Sequence, residues 1–458
     1  MKHVTNVEGR PCGIINLGGE TVEGETKPIT KTDTKLNRIA ELSRGDSTME
    51  FKWLMPHINK ESLISCYHEL DGKKAVGIDG VTKEQYGENL EGNIDKLICR
   101  MKTMSYRPQA AREVLIPKDG KPGATRPLAI SAFEDKVVQL QVSKILEAIY
   151  EPIFRNCSYG FRPGRNCHLA VKDLFNHLWK GSDTVIDVDL KNYFGTIQHE
   201  TLLNFLRIKI KDERFIRYIA RMLKAGIFKE GNFVVSEEGS GQGNIASPIL
   251  SNIYAHYVLD TWLEDVVPAH TIKEVKSFRY ADDQVICCKN SNDAMRVLKA
   301  LKGRLNKYGL ELNADKTKVV KFNKWDFPKV KHQTFDYLGF TFYIRKSRKG
   351  YAHIAVKTSY KRLCSKLGKV KQWCKTNRHK GKLRALWDIF NAKIRGHIQY
   401  YGVTFNTRCV SKFVYQATRI FFKWINRRSQ RKSMTWEQFQ KFQKAFPQPK
   451  VKIRHALF

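Results

Sequence analysis

Apolar residues recur at helical spacing through Leu36, Ile39 and Leu42 and again over residues 51–70, which predicts several helices between 36 and 104. The pattern breaks at Gly77-Ile-Asp-Gly-Val-Thr82, where glycines mark a turn and Thr82 is placed to cap the next helix. Two strand-like runs follow, one ending at Lys118 and one over residues 125–130. The Asp-Gly-Lys-Pro-Gly turn between them makes the pair a hairpin. Helical spacing returns over 133–153. Then Thr184-Val-Ile-Asp-Val-Asp189 alternates apolar and polar, so that Asp187 and Asp189 share one face of a strand, with Val185 and Val188 expected off it. Residues 199–223 read as helical, 226–236 as a short hairpin, and 248–266 as a helix whose stripe of Leu250, Ile253, Tyr254, Tyr257 and Leu259 is packing. An amphipathic helix over 293–308 ends at Gly309, a suitable C-cap. Residues 335–342 are strand-like, with Gly339 allowing a backbone to come close. Beyond Arg345, stripes such as Leu363, Leu367, Val370 and Trp373 predict about three helices with a cationic outer face.

Length and composition narrow the class. A chain of 458 residues with 42% hydrophobic content is long enough for two to four structural units. No apolar run approaches a membrane span, and the start, Met1-Lys-His-Val-Thr, lacks the apolar segment of a secretory signal. The expectation is a cytoplasmic protein without a membrane partner. Ten cysteines without any Cys-x2-Cys spacing argue against a zinc site and against a secreted disulfide scaffold. The net charge of +36 is concentrated: from Thr341 to Phe458 there are 30 Lys and Arg against two acids, Asp388 and Glu437, a net +28. An ordinary solvated surface mixes the signs, so this block reads as a polyanion-binding module whose affinity falls with salt. Residues 1–35, rich in Gly, Thr, Lys and Glu, read as a flexible tail without chemistry.

The chemistry centres on Lys-Ser-Phe-Arg-Tyr-Ala-Asp282-Asp283-Gln-Val-Ile-Cys-Cys, an acidic pair between two runs of aromatic and β-branched residues that suits a hairpin turn. An isolated Asp-Asp pair is usually a solvated loop. Beside an apolar sheet, however, two adjacent carboxylates need a cation to offset their repulsion, and Mg²⁺, a hard ion, prefers oxygen ligands. A neighbouring strand that delivers Asp189 would complete the three-carboxylate cage of a two-metal nucleotidyl-transfer site.

Tyr280-Ala-Asp-Asp283, preceded by Asp189-(x4)-Phe194, resembles the palm of reverse transcriptases and more specifically those encoded by group II introns. Between the acidic motifs, Gly241-Gln-Gly-Asn-Ile-Ala-Ser-Pro-Ile-Leu250 is similar to that family's Pro-Gln-Gly-(x3)-Ser-Pro-Leu-Leu block, with Gly241 in place of Pro. The resemblance runs collinearly from about residue 36 to the end. It implies an α+β right-hand polymerase: a helical N-terminal extension over 36–105, fingers over 106–180, a palm with an antiparallel sheet over 181–343, a helical thumb or maturase region over 344–426, and a small basic C-terminal segment over 427–458.

Residue roles follow by the same resemblance. Asp189, Asp282 and Asp283 hold two Mg²⁺. Lys118 and Arg126 of the fingers hairpin face the triphosphate, as a point charge and a forked guanidinium suit. Phe194 blocks a 2′-hydroxyl and Gln242 lines the nucleotide pocket. Lys316, in Leu310-Glu-Leu-Asn-Ala-Asp-Lys-Thr-Lys318, is the candidate general acid for pyrophosphate. Gly195 departs from the family, which has Asp there. Arg162 and Arg165, in Ser158-Tyr-Gly-Phe-Arg-Pro-Gly-Arg165, suit base stacking or phosphate pairing as well as a structural turn. Tyr280 is a nucleic-acid contact, and Gly339 lies in the segment that supports the primer terminus in the family. Arg395 of the thumb and the cluster at Arg427 and Arg428, near Trp436, Phe439 and Phe442, are nucleic-acid contacts. No His-x-His or Cys-rich segment follows, so the endonuclease domain of some relatives is expected to be absent.

The function implied is RNA-directed DNA synthesis from deoxynucleoside triphosphates on a DNA primer or target, with intron RNA or another RNA as template. It is joined to splicing of the intron RNA within a ribonucleoprotein or at the nucleoid. Two alternatives stay open: a protein acting mainly as an RNA-binding splicing cofactor, and a polymerase given a host task such as phage defence or DNA repair.

Overall fold

The computed structural model describes residues 31–117, 123, 125–229, 232–235, 237–239, 243–327, 333–428 and 434–458. Lys118 and Gln242 lie outside them. The chain is helical from Lys31, earlier than the boundary expected at residue 35, and Leu36 and Ile39 of this first helix, α1 (Lys31–Gly45), are buried. Helices α2 (Lys60–Glu69), α3 (Lys83–Gly87) and α4 (Leu90–Lys102) follow. Asn59 and Thr82 each close a capping box, which satisfies backbone N–H groups that helix geometry leaves without partners.

Strands β1 (Ala111–Pro117) and β2 (Thr125–Ile130) form the predicted hairpin and lead into the long buried helix α5 (Phe133–Tyr150) and then α6 (Cys167–Lys180). After β3 (Thr184–Val188), the stretch expected as one helix is two, α7 (His199–Lys209) and α8 (Glu213–Leu223). Asp212 divides them because its carboxylate caps α8, accepting from the N–H groups of Arg214 and Phe215. The short hairpin of β4 (Ile227–Lys229) and β5 (Asn232–Val234) joins the first one through a parallel β1–β4 pairing, giving the order β2-β1-β4-β5. Helix α9 (Ser247–Ala255) then passes into two π-helical turns, His256–Asp260 and Trp262–Val266.

The chain continues through β6 (Val275–Tyr280), β7 (Asp283–Cys288), α10 (Ser291–Lys307) and β8 (Lys318–Lys321), and the central antiparallel sheet has the order β6-β7-β3-β8. Its strands are apolar on both faces, so both must be covered. Ile186, Val188, Ile286 and Cys288 belong to a core shared with α1, α5, α7 to α10 and neighbouring helices. Val185, Phe278, Val285 and Cys287 enter a second core with α6 and the rest of the chain. Val185 therefore lies on the face of Asp187 and Asp189, contrary to expectation, because period two admits no other placement.

The second core holds a three-stranded sheet of β9 (Phe335–Tyr337), β10 (Phe340–Lys346) and β11 (Ala352–Thr358). Its helices are α11 (Tyr360–Asn377), α12 (Leu383–Tyr401), α13 (Thr407–Ile425) and α14 (Trp436–Ala445). The single strand expected over 335–342 is a hairpin, turned by Leu338 and Gly339 at φ 48° and 81°. Strand β10 crosses the expected boundary at 343, and Phe439 and Leu457 are buried with Trp387 and Phe421, so the last residues share the core of the preceding helices. The fold is α+β with mostly antiparallel sheets, as a right-hand polymerase requires. Among the described residues no helix is long and apolar enough to cross a membrane.

Three buried histidines make this packing acid-sensitive. His397 stacks on Phe413 with ring centroids 3.5 Å apart, and burial pushes its pKa down to about 3; His177 and His256 are pushed down to about 4. The unfolded chain takes up these protons near pH 6.5 and the folded chain does not, so the contribution of these three groups to stability falls as pH drops from 6.5 toward 4. Buried carboxyls with raised pKa values act in the opposite direction, so the histidine contribution is read by difference: relative to the parent, a His397→Phe variant should gain in urea midpoint as pH falls from 6.5 toward 4, and a difference that does not change with pH would contradict the assignment.

Candidate functional site

Tyr280 and Asp283 pair across the β6–β7 hairpin, leaving Ala281 and Asp282 as its two-residue turn. Ala281 has φ 57°, a left-handed conformation rare for a residue with a Cβ. On the other side of β7, Val188 of β3 is paired with Gln284, so the next step along the strands sets Asp189 beside Asp283. The backbone of Asp189 is fixed from the β8 side: its carbonyl accepts from Asn313 N–H at 2.8 Å, and its N–H donates to Thr317 Oγ1 at 3.3 Å. Lys316 of the same loop donates from Nζ to Asp189 Oδ2 at 2.8 Å. The sequence-predicted acids and Lys316 thus meet at one end of the sheet.

Negative charge there is in surplus. Burial, then the carboxylates of Asp282 and Asp187, push Asp283 up to about 7, although the residue as a whole is still exposed to solvent. Asp187 is pushed up to about 6 by burial, against the pull of Lys318 and with help from Asp336 and Asp189. Asp282 is raised by burial and by Asp189. No three of the described His, Cys, Asp and Glu side chains stand as a ready-made metal cage, and the Asp189 carboxylate is paired with Lys316. The donor set nonetheless fits a divalent ion: hard oxygen ligands carrying unneutralised charge are what Mg²⁺ prefers.

Behind the turn lies a residue that the sequence reading passed over. Arg279 is 1% exposed and forms a forked pair with Asp260, Nε to Oδ1 at 2.7 Å and Nη2 to Oδ2 at 2.5 Å. The same guanidinium donates to Asn252 Oδ1, to Ser158 Oγ and to the carbonyl of Ala281 at 3.1 Å, the turn residue itself. Gly160 completes the support, because a Cβ there would stand 2.4 Å from Ala281 N. The available signal was an arginine inside an apolar strand and an aspartate inside an apolar helix, each of which needs a buried partner.

This arrangement corrects the reading of the 158–165 block. Arg162 is buried, with its guanidinium spent on Glu151 at 2.9–3.1 Å and on the carbonyls of Arg155 and Ser158, so it cannot reach nucleic acid. Arg165 is half-buried and bonds the carbonyl and side chain of Asn156. Arg428 is likewise engaged, donating to the carbonyls of Arg378 and Gly381 and so tying down the α11–α12 loop. Gly339 is approached by the Tyr401 hydroxyl, 3.1 Å from where a Cβ would stand, which makes its close contact an internal one.

The other predicted residues remain available. Phe194 is half-buried and borders a cavity of about 290 Å³ together with Asn192, Gln139, Ala129 and Asn244. The departure at Gly195 has a local counterpart: Asn192, left-handed at φ 44°, lays its side chain where a residue-195 Cβ would be, with Nδ2 at 2.2 Å. Arg126 is exposed on β2 opposite Ile116, and Tyr280 is half-buried. Arg395 and Arg427 are exposed, the latter over the Trp424 ring at 5.4 Å.

Comparison with known proteins follows the same outline. Residues 116–342 match the family model described as reverse transcriptase (RNA-dependent DNA polymerase). The chain is 34% identical over 222 residues to the group II intron-encoded protein LtrA of Lactococcus lactis subsp. cremoris, covering 48% of this chain and 37% of that protein. It is 34% identical over 262 residues to an uncharacterized 91 kDa protein in the cob intron of Schizosaccharomyces pombe, covering 56% and 32%. To protein YkfC of Escherichia coli K12 it is 32% identical over 286 residues, covering 55% of this chain and 74% of that protein. The chain thus spans about a third of the length of the first two of these relatives.

Removing one member of a buried ion pair leaves an uncompensated charge, which costs about 3–5 kcal/mol. Asp260→Asn is therefore expected to lower the unfolding free energy by about that amount in urea titration; a loss below about 1 kcal/mol, the level of an exposed pair, would refute the sealed-pair reading.

Proposed function

Because the chain belongs to the group II intron reverse transcriptase and maturase family, we propose that it synthesises DNA on an RNA template at Asp189, Asp282 and Asp283 and also binds intron RNA as a splicing maturase. The observation that carries this reading is the β3–β7 register, which sets Asp189 next to Asp283 with Asp282 on the adjoining turn. Reverse transcriptases use divalent metal ions; two Mg²⁺ held by these carboxylates would activate the primer 3′-hydroxyl and neutralise the leaving pyrophosphate.

The chain's own residues supply the rest. Lys316, already poised against Asp189, gives a proton to the departing pyrophosphate. Phe194 presents a fixed ring at its cavity and excludes a ribose 2′-hydroxyl by bulk. Arg126, with Lys118, takes the triphosphate, and Gln242 lines the nucleotide pocket. Arg395 and Arg427, exposed on a C-terminal block of net +28, contact RNA phosphates. That charge surplus favours the splicing role as directly as it favours template binding, and mobility of the intron would use both.

An Asp282→Asn variant should show no primer extension on an RNA template, and substantial residual incorporation would contradict the assignment. The same variant should splice intron RNA at the parent's rate. Neutralising several lysines and arginines within 345–432 should instead slow splicing and flatten the salt dependence of RNA binding.

A further inference from the structure

At the opposite end of the central sheet from the acids, the surface carries an aromatic groove that none of the assigned roles uses. Asp189 and Asp283 lie at one end of β3 and β7; the paired Thr184 and Cys288 lie at the other, about 17 Å away for a strand of this length. Beside that second end, a groove of about 530 Å³ is lined by Phe175, Trp179, Tyr351, His353, Phe405 and Phe458. The rings form a connected set, with Phe175–Trp179 at 5.6 Å, Phe175–Phe405 at 5.9 Å and Phe405–Phe458 at 5.9 Å. Trp179 is 41% exposed, Tyr351 and Phe458 are each 73% exposed, and neighbouring Trp325 is 74% exposed. Large rings gathered at one edge and left facing solvent mark an interaction site.

The charges around the rings say which kind. Lys324 stands between Trp179 and Trp325, 5.4 and 4.5 Å from their centroids, and donates to the Trp179 carbonyl. Lys180 follows Trp179, and the end of β10 with the β10–β11 connection reads Arg345-Lys-Ser-Arg-Lys-Gly-Tyr351. The acid nearest in sequence, Asp326, is paired with Lys321 at 3.9 Å. Exposed rings alternating with cations match a single strand, whose bases stack while its phosphates pair with Lys and Arg. Asn176 and Ser347 also line the groove, and their amide and hydroxyl can bond a ribose 2′-hydroxyl, which deoxyribose lacks.

We propose that this groove binds single-stranded RNA, with bases stacked on Trp179, Tyr351 and Trp325 and phosphates held by Lys324 and the β10–β11 cations. The proposal rests on the reading of the chain as an RNA-handling enzyme and adds to it a second contact, remote from the acids, that holds a strand outside the site of synthesis.

The test uses the full chain and a fluorescein-labelled 12-nucleotide oligouridine, at a salt concentration high enough to weaken the purely ionic contribution of the basic block. The Trp325→Ser/Tyr351→Ser variant alters two highly exposed side chains, so folding is spared, and thermal melting checks this. Its affinity should fall about tenfold or more, as lost stacking on two rings implies. Oligouridine carrying 4-thiouridine should crosslink to peptides containing Trp179, Trp325 or Tyr351, and the deoxy oligomer should bind the parent more weakly. Unchanged RNA affinity, crosslinks confined to other peptides, or equal affinity for the deoxy oligomer would each overturn the proposal. So would a shift of oligomeric state in sedimentation without a change in RNA binding, which would mark the groove as a protein interface. Primer extension by the parent separates the two claims: no DNA synthesis alongside crosslinks in the groove refutes the polymerase reading, and normal synthesis without them refutes this one.

Discussion

The forked pair between Arg279 and Asp260 is the interaction on which the acidic end of the sheet depends. An arginine on the strand leading into a functional turn is normally solvated; here it is sealed, so every donor must find an acceptor inside the protein. Those acceptors come from four separate segments: Ser158 in the loop after α5, Asn252 in α9, Asp260 in the π-helical turn, and Ala281 itself. One planar group thereby sets the relative positions of all four. A buried pair of this kind contributes little net stability compared with apolar packing, but it fixes geometry, and the geometry fixed is that of a strained residue next to Asp282.

The central sheet converts that local fixation into a site. Its two faces are covered by different cores, so neither can shift without exposing apolar surface. Its strand ends are where side chains meet solvent, and the register brings four acids, Asp187, Asp189, Asp282 and Asp283, to the same end. The raised protonation of Asp283 and Asp187 comes first from their burial and then from the neighbouring carboxylates, against the pull of Arg362 on Asp283 and of Lys318 on Asp187.

What was legible in the sequence follows the range of the physics. The Asp282 turn, the β1–β2 hairpin, the Thr82 cap and the stripes of α10 and the C-terminal helices depend on residues a few positions apart, and all are found. The division between α7 and α8 is also local, yet it was missed because the apolar spacing continues across Asp212 and only its capping role breaks the helix. Arg162 and Arg428 were read as ligand contacts because a sequence displays charge but not the carbonyls or carboxylate waiting in the fold. Arg279 escaped for the same reason in reverse: its partner lies in a stripe that looked like packing alone. Pairing partners are a property of the topology, and single-chain periodicity carries no record of them.

The two-sided cover of the sheet also sets an order for synthesis of the chain. Its inner strand β3 is made early, but β7 and β8, which flank it, end at Cys288 and Lys321, and the second core closes only with Leu457 at the far end. Contacts so distant in sequence form slowly, and while the ribosome is still working the apolar faces of β3 stay uncovered. A nascent polypeptide with this topology keeps apolar strand surface open until the residues near Leu457 emerge, and over that period aggregation competes with folding.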